Sequence, residues 1–157
     1  MKPLLLSVVC LFLTFSLPSK LAAQTPKQEI DAAKILWHSH ANAVKYFGNP
    51  VKILPPRIPA EGWDYEFRRG CGTVETKERV LLFVYRYKKT PKGVQEALER
   101  VGLPVNIPPV DFGTSYMWNS AGWHPRPMWF KGKMLNRVIL AKDFSEISVD
   151  GHEPGTY

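Results

Sequence analysis

The residue in this sequence best suited to chemistry is Cys71, which lies between Gly70 and Gly72 and follows Arg68 and Arg69. Glycines let the backbone approach a ligand closely, and neighbouring arginines lower the pKa of a thiol and favour the thiolate. A nucleophilic cysteine also needs a base, and the spacing pairs no histidine with Cys71. A small buried cysteine in a glycine-rich turn explains the same pattern. Cys71 is therefore an alternative catalytic residue, and no catalytic set is assigned.

The four histidines do not form a metal motif. His38 and His40 are two positions apart, and on a helix such residues point about 200° apart, so they cannot share a metal ion. His124 and His152 lie in segments without ligand spacing, and no HExxH pattern is present. We predict neither a metal site nor a cofactor.

Asp64 and Glu66 are the carboxylates whose spacing suits acid and base catalysis, because both lie on one face of a predicted strand. Arg68 shares that face, and aromatic residues occupy the other. Alternating charges of this kind are typical of the solvated face of an edge strand, where they discourage aggregation. The pair is therefore expected to be a surface feature.

Residues 111–130 are rich in aromatic side chains and contain three of the five tryptophans, interspersed with Gly, Ser, Asn and Pro. Large aromatic side chains on loops supply rigid contact area, and Trp and Tyr dominate interface hot spots. Alternatively, these rings fill the core of a small domain. We expect at least Trp118 or Trp123 to be partly exposed. The predicted ligand-binding residues are Tyr116, Trp118, Trp123, His124, Arg126 and Trp129.

Basic and aromatic residues also interleave at positions 65–69, 85–89 and 129–133. Such patterns bind single-stranded nucleic acid by stacking and phosphate contact, but export argues against a nucleic-acid partner. An anionic glycan or a lipid surface could use the same geometry, and lysines at strand ends also protect sheet edges. The sequence has no phosphate-binding glycine loop, GxSxG motif or dinucleotide fingerprint.

The first 23 residues have the three parts of a secretory signal peptide. Lys2 gives the positive start, positions 3–17 form the apolar run, and small residues precede Gln24. A membrane anchor would need about 20 apolar residues, and this run is shorter. Lipidation of Cys10 is disfavoured, since this residue lies inside the run. We therefore predict that residues 1–23 are removed as a signal peptide. The mature chain is then expected to be secreted or periplasmic and to contain no transmembrane segment.

Cleavage would leave 134 of the 157 residues, enough for a single domain with its own core. Lys2 and Lys20 leave with the signal, so the mature net charge is about +5, which favours anionic partners and also keeps a domain soluble. Cys71 becomes the only cysteine, which excludes an intramolecular disulfide. A lone cysteine in such a chain is buried, paired with another chain, or reactive.

Helical spacing predicts a first helix over residues 26–47, capped by Thr25 and Gln28 and ended by Gly48. A second helix follows Thr90 and ends near Gly102. Period-two or β-rich patterns predict strands over residues 63–69 and 80–87, paired as a hairpin, and further strands over residues 112–118 and 144–149. Residues 128–130 and 134–140 flank a predicted glycine-containing hairpin turn at residues 131–133.

This order predicts one small α+β domain over residues 24–149, with a flexible tail at residues 150–157. Its sheet is expected to be antiparallel or mixed, with about five strands and two helices packed on one face. The preferred function is a non-catalytic binding or accessory domain that contacts a partner protein or an anionic envelope component through the aromatic loop. The alternative is a small thiol-dependent enzyme or redox protein using Cys71. A secreted inhibitor or immunity-type protein fits the sequence equally well.

Overall fold

The computed structural model of the chain describes residues 26–55, 63–68, 79–119 and 126–152, and the backbone alone at residues 70–74. The predicted signal peptide at residues 1–23 and the predicted Thr25 cap lie outside these ranges. No helix in the described ranges has the length and apolar character needed to span a membrane.

The described part contains three short helices and ten strands. The helices are α1 Ala32–Ile35, α2 His40–Phe47 and α3 Val94–Arg100. The strands are β1 Lys52–Leu54, β2 Trp63–Phe67, β3 Gly70–Val74, β4 Val80–Arg86, β5 Val110–Asp111, β6 Ser115–Asn119, β7 Met128–Phe130, β8 Lys133–Leu135, β9 Arg137–Ala141 and β10 Glu146–Asp150.

Eight of these strands form one sheet in the order β1-β2-β3-β4-β10-β9-β6-β5, while β7 and β8 form a separate hairpin. Every pairing is antiparallel. The predicted single α+β domain is confirmed. The sheet extends beyond the expected five or so strands partly because it includes β1 and β5, which have only three and two residues and so give little sequence pattern.

β4 is a central strand, as its apolar sequence predicted, with β3 and β10 on its two sides. The hairpin expected between β2 and β4 is wrong, because β3 lies between them. Gly70 and Gly72 are in register with Tyr85 and Phe83. Without Cβ atoms on that face, β3 leaves room for the Phe47 ring, which approaches Phe83 at 6.2 Å and Tyr85 at 6.0 Å.

Both α2 and α3 pack on one face of the sheet, as predicted. Phe47 of α2 contacts Phe67 of β2 at 5.1 Å between ring centroids. The hydroxyl of Tyr87, which follows β4 on the same face as Tyr85, donates to the Ala97 carbonyl of α3 at 2.9 Å. The core therefore lies between this face and the helices.

The predicted helix over residues 26–47 is interrupted between α1 and α2. Trp37 has a left-handed backbone with φ of 62°. Its amide donates to the Val80 carbonyl at 2.8 Å, and the Val80 amide donates to the His38 carbonyl at 2.9 Å. These bonds join the chain to the start of β4, so the helical ladder stops there.

The first helix also begins later than predicted. Asp31 is the N-cap of α1, and its side chain accepts from the Ala33 amide at 3.0 Å. The preceding amides of Glu29 and Ile30 instead donate to the Arg100 carbonyl at 2.7 and 3.1 Å. Tertiary bonding to the end of α3 therefore holds Glu29 and Ile30 outside the helix.

The predicted flexible tail begins too early at Asp150. Asp150 is the last residue of β10 and only 1 % exposed, and Asn136 donates to its carboxylate at 2.8 Å. The Gly151 amide donates to the Leu81 carbonyl at 2.7 Å. Residues 153–157 lie outside the described part.

Candidate functional site

The β7–β8 hairpin carries two of the predicted ligand-binding residues, Arg126 on its approach and Trp129 in β7. Its turn consists of Lys131 and Gly132, with φ of 51° and 76°. Positive φ at both central positions defines a type I′ turn, whose twist matches that of antiparallel strands. The predicted glycine-containing turn is confirmed, although Lys133 belongs to β8.

One face of the hairpin is fixed in the core. Met128, Phe130 and Leu135 are buried, and the Phe130 ring lies 6.3 Å from the ring of Trp37. The Lys133 ammonium lies over the Trp37 ring at 4.9 Å, which adds a cation–π contact. This face of the hairpin is therefore packed against the core.

Both ends of the hairpin are also tied to the main sheet. The Arg126 amide donates to the Asn119 carbonyl at the end of β6, at 2.9 Å. The Asn136 amide donates to the Asp150 carbonyl at the end of β10, at 3.0 Å. These bonds hold the hairpin at one end of the sheet, near the start of β4.

The Trp129 side chain points away from the core-facing side of the hairpin. Its two neighbours Met128 and Phe130 are buried, and strand alternation places the intervening side chain on the opposite face. The indole is 61 % exposed, and its register partner Met134 is half-buried. An exposed tryptophan is thus presented on a rigid hairpin.

The chain segment that contains Trp129 is cationic. Residues 126–137 contain four basic side chains and no carboxylate: Arg126, Lys131, Lys133 and Arg137. All four residues are exposed, and among the described residues none of them forms an ion pair. Trp129 with Arg126, Lys131 and Arg137 is called the hairpin surface; Lys133 is left out, because its ammonium lies over Trp37 on the face opposite Trp129.

Trp118 does not belong to the hairpin surface, which corrects its predicted contact role. The residue is 1 % exposed in β6, and its indole N–H donates to the Ile107 carbonyl at 2.8 Å. The aromatic alternation around it arises because β6 places this face on the core. Trp118 is a core residue.

Tyr116 lies towards the opposite end of β6 from the hairpin anchor at Asn119. Its half-buried ring stacks on Phe144 at 5.9 Å, and the Lys142 ammonium lies 4.0 Å above it. Lys142 also pairs with Asp111, and this hydrogen bond raises the pKa of Lys142 and lowers that of Asp111. Tyr116 is therefore separated from the hairpin surface.

Trp123 and His124 lie outside the described residues, so their predicted role stays a prediction. Sequence reasoning missed Lys131 and Arg137 as site residues. A signal for Lys131 existed, because residues 129–133 interleave basic and aromatic types.

The predicted acid–base candidates stay apart from the hairpin surface. Asp64 and Glu66 are exposed in β2, as expected, but β1 covers this strand, so it is not an edge. Cys71 lies in β3, in register with Glu66 and Val84, and its side chain is outside the described part.

Two of the histidines have defined contacts. The His40 ring stacks on Tyr65 at 3.8 Å, and desolvation by burial lowers the pKa of His40. His152 Nδ1 lies 2.6 Å from Asp150 Oδ1. Within the described ranges, no group of three His, Cys, Asp or Glu residues is placed to hold a metal ion.

No known family model matches this chain, and no curated protein or solved structure is significantly similar to it. The function is therefore argued from the hairpin surface itself.

Proposed function

We propose that this chain is an exported, non-catalytic accessory domain that binds an anionic lipid surface of the cell envelope through the hairpin surface. The observation that carries the proposal is the 61 % exposure of Trp129 within a segment of four cations and no carboxylate. Trp129 is the most exposed of the large hydrophobic residues in the described part of the chain.

The chemistry of the hairpin surface suits the boundary between lipid and water. An indole has an apolar body and a polar N–H, and tryptophan is enriched at membrane interfaces for that reason. Lys or Arg side chains near an anionic leaflet each contribute about 1 kcal/mol to binding. Arg126, Lys131 and Arg137 supply such exposed charges in the segment that carries the ring.

The rigidity of the hairpin adds to this affinity. The type I′ turn and the contact between Phe130 and Trp37 hold Trp129 outward before any partner arrives. A binding residue that is already ordered loses little conformational entropy on association. The predicted signal peptide would deliver this surface to a compartment bounded by membrane.

Vesicle co-sedimentation tests the proposal. The chain starting at Gln24 is mixed with vesicles of phosphatidylglycerol and phosphatidylcholine, or of phosphatidylcholine alone. We expect binding to the anionic vesicles only, and weaker binding as salt is raised. Trp129→Ala and Lys131→Glu should each weaken binding at least about fivefold, by loss of the anchor or reversal of one charge.

Phe112→Ala is the matched control, because Phe112 is 54 % exposed but lies beyond the opposite end of β6. Its binding should equal that of the unmodified chain. Absence of vesicle binding, or equal loss in Phe112→Ala and Trp129→Ala, would contradict the proposal. Capture of an acidic protein through Trp129 without vesicle binding would assign the surface to a protein partner instead.

The thiol alternative predicts that Cys71 is alkylated rapidly in the native state near neutral pH. Labelling only after denaturation would exclude it, and rapid native labelling would favour it. This measurement is independent of vesicle binding.

A further inference from the structure

A cationic cavity lies at the other end of β4 from the hairpin surface, where the strand is followed by Lys88 and Lys89. Its volume is about 470 Å³, within the range of small-molecule sites. The residues that line it are Lys27, Gln28, Glu29, Lys88, Lys89 and Arg100.

Among the described residues of this lining the one carboxylate is Glu29, which is occupied by internal partners. It accepts from the Tyr85 hydroxyl at 2.5 Å, from the Lys88 amide at 3.2 Å and from Arg100 Nη1 at 3.0 Å. These bonds fix the end of β4 against the segment before α1. Glu29 therefore organises the cavity, and its charge is neutralised by Arg100.

Arg100 is fixed from the other side. It pairs with Glu96 one turn earlier in α3, and Nη1 also donates to the Lys89 carbonyl at 2.6 Å. Burial opposes its charge, but hydrogen bonds and attraction from Glu96 and Glu29 raise the pKa of Arg100 overall. The backbone that carries Lys88 and Lys89 is thus held by side chains on two other segments.

The three lysines have no such partners. The side chains of Lys27, Lys88 and Lys89 are exposed, and none of them pairs with a carboxylate among the described residues. With Arg100 they make four positive charges, against Glu29 in the lining and Glu96 beside it. The cluster thus has a formal charge of +2.

We propose that this cavity binds the phosphate group of a small phosphomonoester. A phosphomonoester carries up to two negative charges at neutral pH, which matches the +2 of the cluster. Lysine ammonium groups are effective phosphate ligands, and three of them are available here. The cavity volume leaves room for the organic part of the ligand beside the phosphate.

This second site is independent of the hairpin surface. The hairpin is anchored beside Asp150, which is in register with Leu82 near the start of β4. Lys88 and Lys89 follow the other end of the same strand. An experiment in which one site does not bind its ligand therefore does not test the other site.

Titration with phenyl phosphate, followed by amide chemical shifts and calorimetry, tests the proposal. We expect saturable binding with the largest shifts at Gln28, Lys88 and Lys89. The variant Lys88→Ala/Lys89→Ala should bind at least about tenfold more weakly, because two ligand ammonium groups are removed. The fold of this variant should persist, because Glu29 accepts from the backbone amide of Lys88 and Arg100 donates to the backbone carbonyl of Lys89. Both backbone groups remain after the substitutions.

Two controls separate the sites and the ligand classes. Lys131→Ala should retain phenyl phosphate binding, and Lys88→Ala/Lys89→Ala should retain vesicle binding. Dimethyl phosphate, a monoanionic diester like a simple lipid headgroup, should bind at least about fivefold more weakly than phenyl phosphate. Binding of phenyl phosphate should weaken as pH falls below about 6, where the second phosphate proton returns.

Absence of saturable phenyl phosphate binding would overturn the proposal. So would equal affinity in the unmodified chain and in Lys88→Ala/Lys89→Ala. Equal or tighter binding of dimethyl phosphate would instead identify a site for diesters, and would overturn the assignment to a monoester.

Discussion

The Tyr85 hydroxyl donates to the Glu29 carboxylate at 2.5 Å, although the two residues lie 56 positions apart. Tyr85 is buried in the central strand, and Glu29 precedes the first helix. Because Arg100 pairs with the same carboxylate, one acidic side chain connects the N-terminal segment, the sheet and α3.

Glu29→Ala should lower the free energy of unfolding by about 2–3 kcal/mol, because Tyr85 and Arg100 lose a charged acceptor in a largely desolvated place. Tyr85→Phe removes one of these bonds and should cost about 1–2 kcal/mol. Urea unfolding measures both. Glu146→Ala is the control: its carboxylate pairs with Arg86 in solvent, so the change should stay within about 0.5 kcal/mol. Equal effects of Glu29→Ala and Glu146→Ala would contradict this role.

His40 should make stability depend on pH. Burial lowers its pKa below the ordinary 6.5, and its buried Nε2 has no hydrogen-bond partner among the described residues. The folded state then binds fewer protons than the unfolded state, so stability decreases as pH falls from above 6.5 through the lowered pKa.

His40→Phe should reduce this pH dependence while keeping a ring on Tyr65. Urea unfolding at several pH values between about 5 and 8 measures the slope. His38→Gln is the control, since His38 is exposed, and it should leave the slope contributed by His40 unchanged. An unaltered slope in His40→Phe would show that other groups cause it.

The two described tryptophans of the aromatic segment should behave in opposite ways. Trp118→Ala should destabilise the fold by about 3–5 kcal/mol, because it removes a fully buried ring. Trp129→Ala should change stability by less than about 0.5 kcal/mol, as expected for an exposed side chain. Thermal and urea unfolding of the two variants compare them. A large loss in Trp129→Ala would instead assign its ring to packing.

Gly151→Ala should destabilise the end of β10. An added Cβ would lie 3.0–3.2 Å from three atoms of the Trp37 indole, which is held by its own N–H bond to the Gly151 carbonyl. The expected loss is about 1–3 kcal/mol. Gly93→Ser is the control, because nothing lies within 4 Å of a Cβ at that position. If both variants unfold at the same urea concentration, the added Cβ at position 151 does not clash with Trp37.

The sequence patterns located the long regular elements because burial on one face imposes a period. β2 follows the predicted alternation and β4 the predicted apolar run. α3 ends at Arg100, two residues before the predicted Gly102. β3 escaped detection, since Gly70 and Gly72 are typical of a turn when their partners are unknown. Their strand conformation depends on Tyr85 and Phe83 across the sheet.

The candidate sites could be predicted only in part, because contacts across the sheet leave no local sequence pattern. The alternation that buries Met128 and Phe130 exposes Trp129, but Trp118 lies in an equally aromatic segment and points inward. The cationic cavity joins Glu29 to Arg100 over 71 positions. No local pattern reports such a pairing, because it depends on how the helices and the sheet pack.

The strand order has a consequence for the timing of folding. β10 is the last strand among the described residues, yet it lies between β4 and β9 and joins the two halves of the sheet. During synthesis β10 emerges after the nine strands that precede it, so until then each half has an open inner edge. The sheet is therefore completed only when β10 pairs with both β4 and β9.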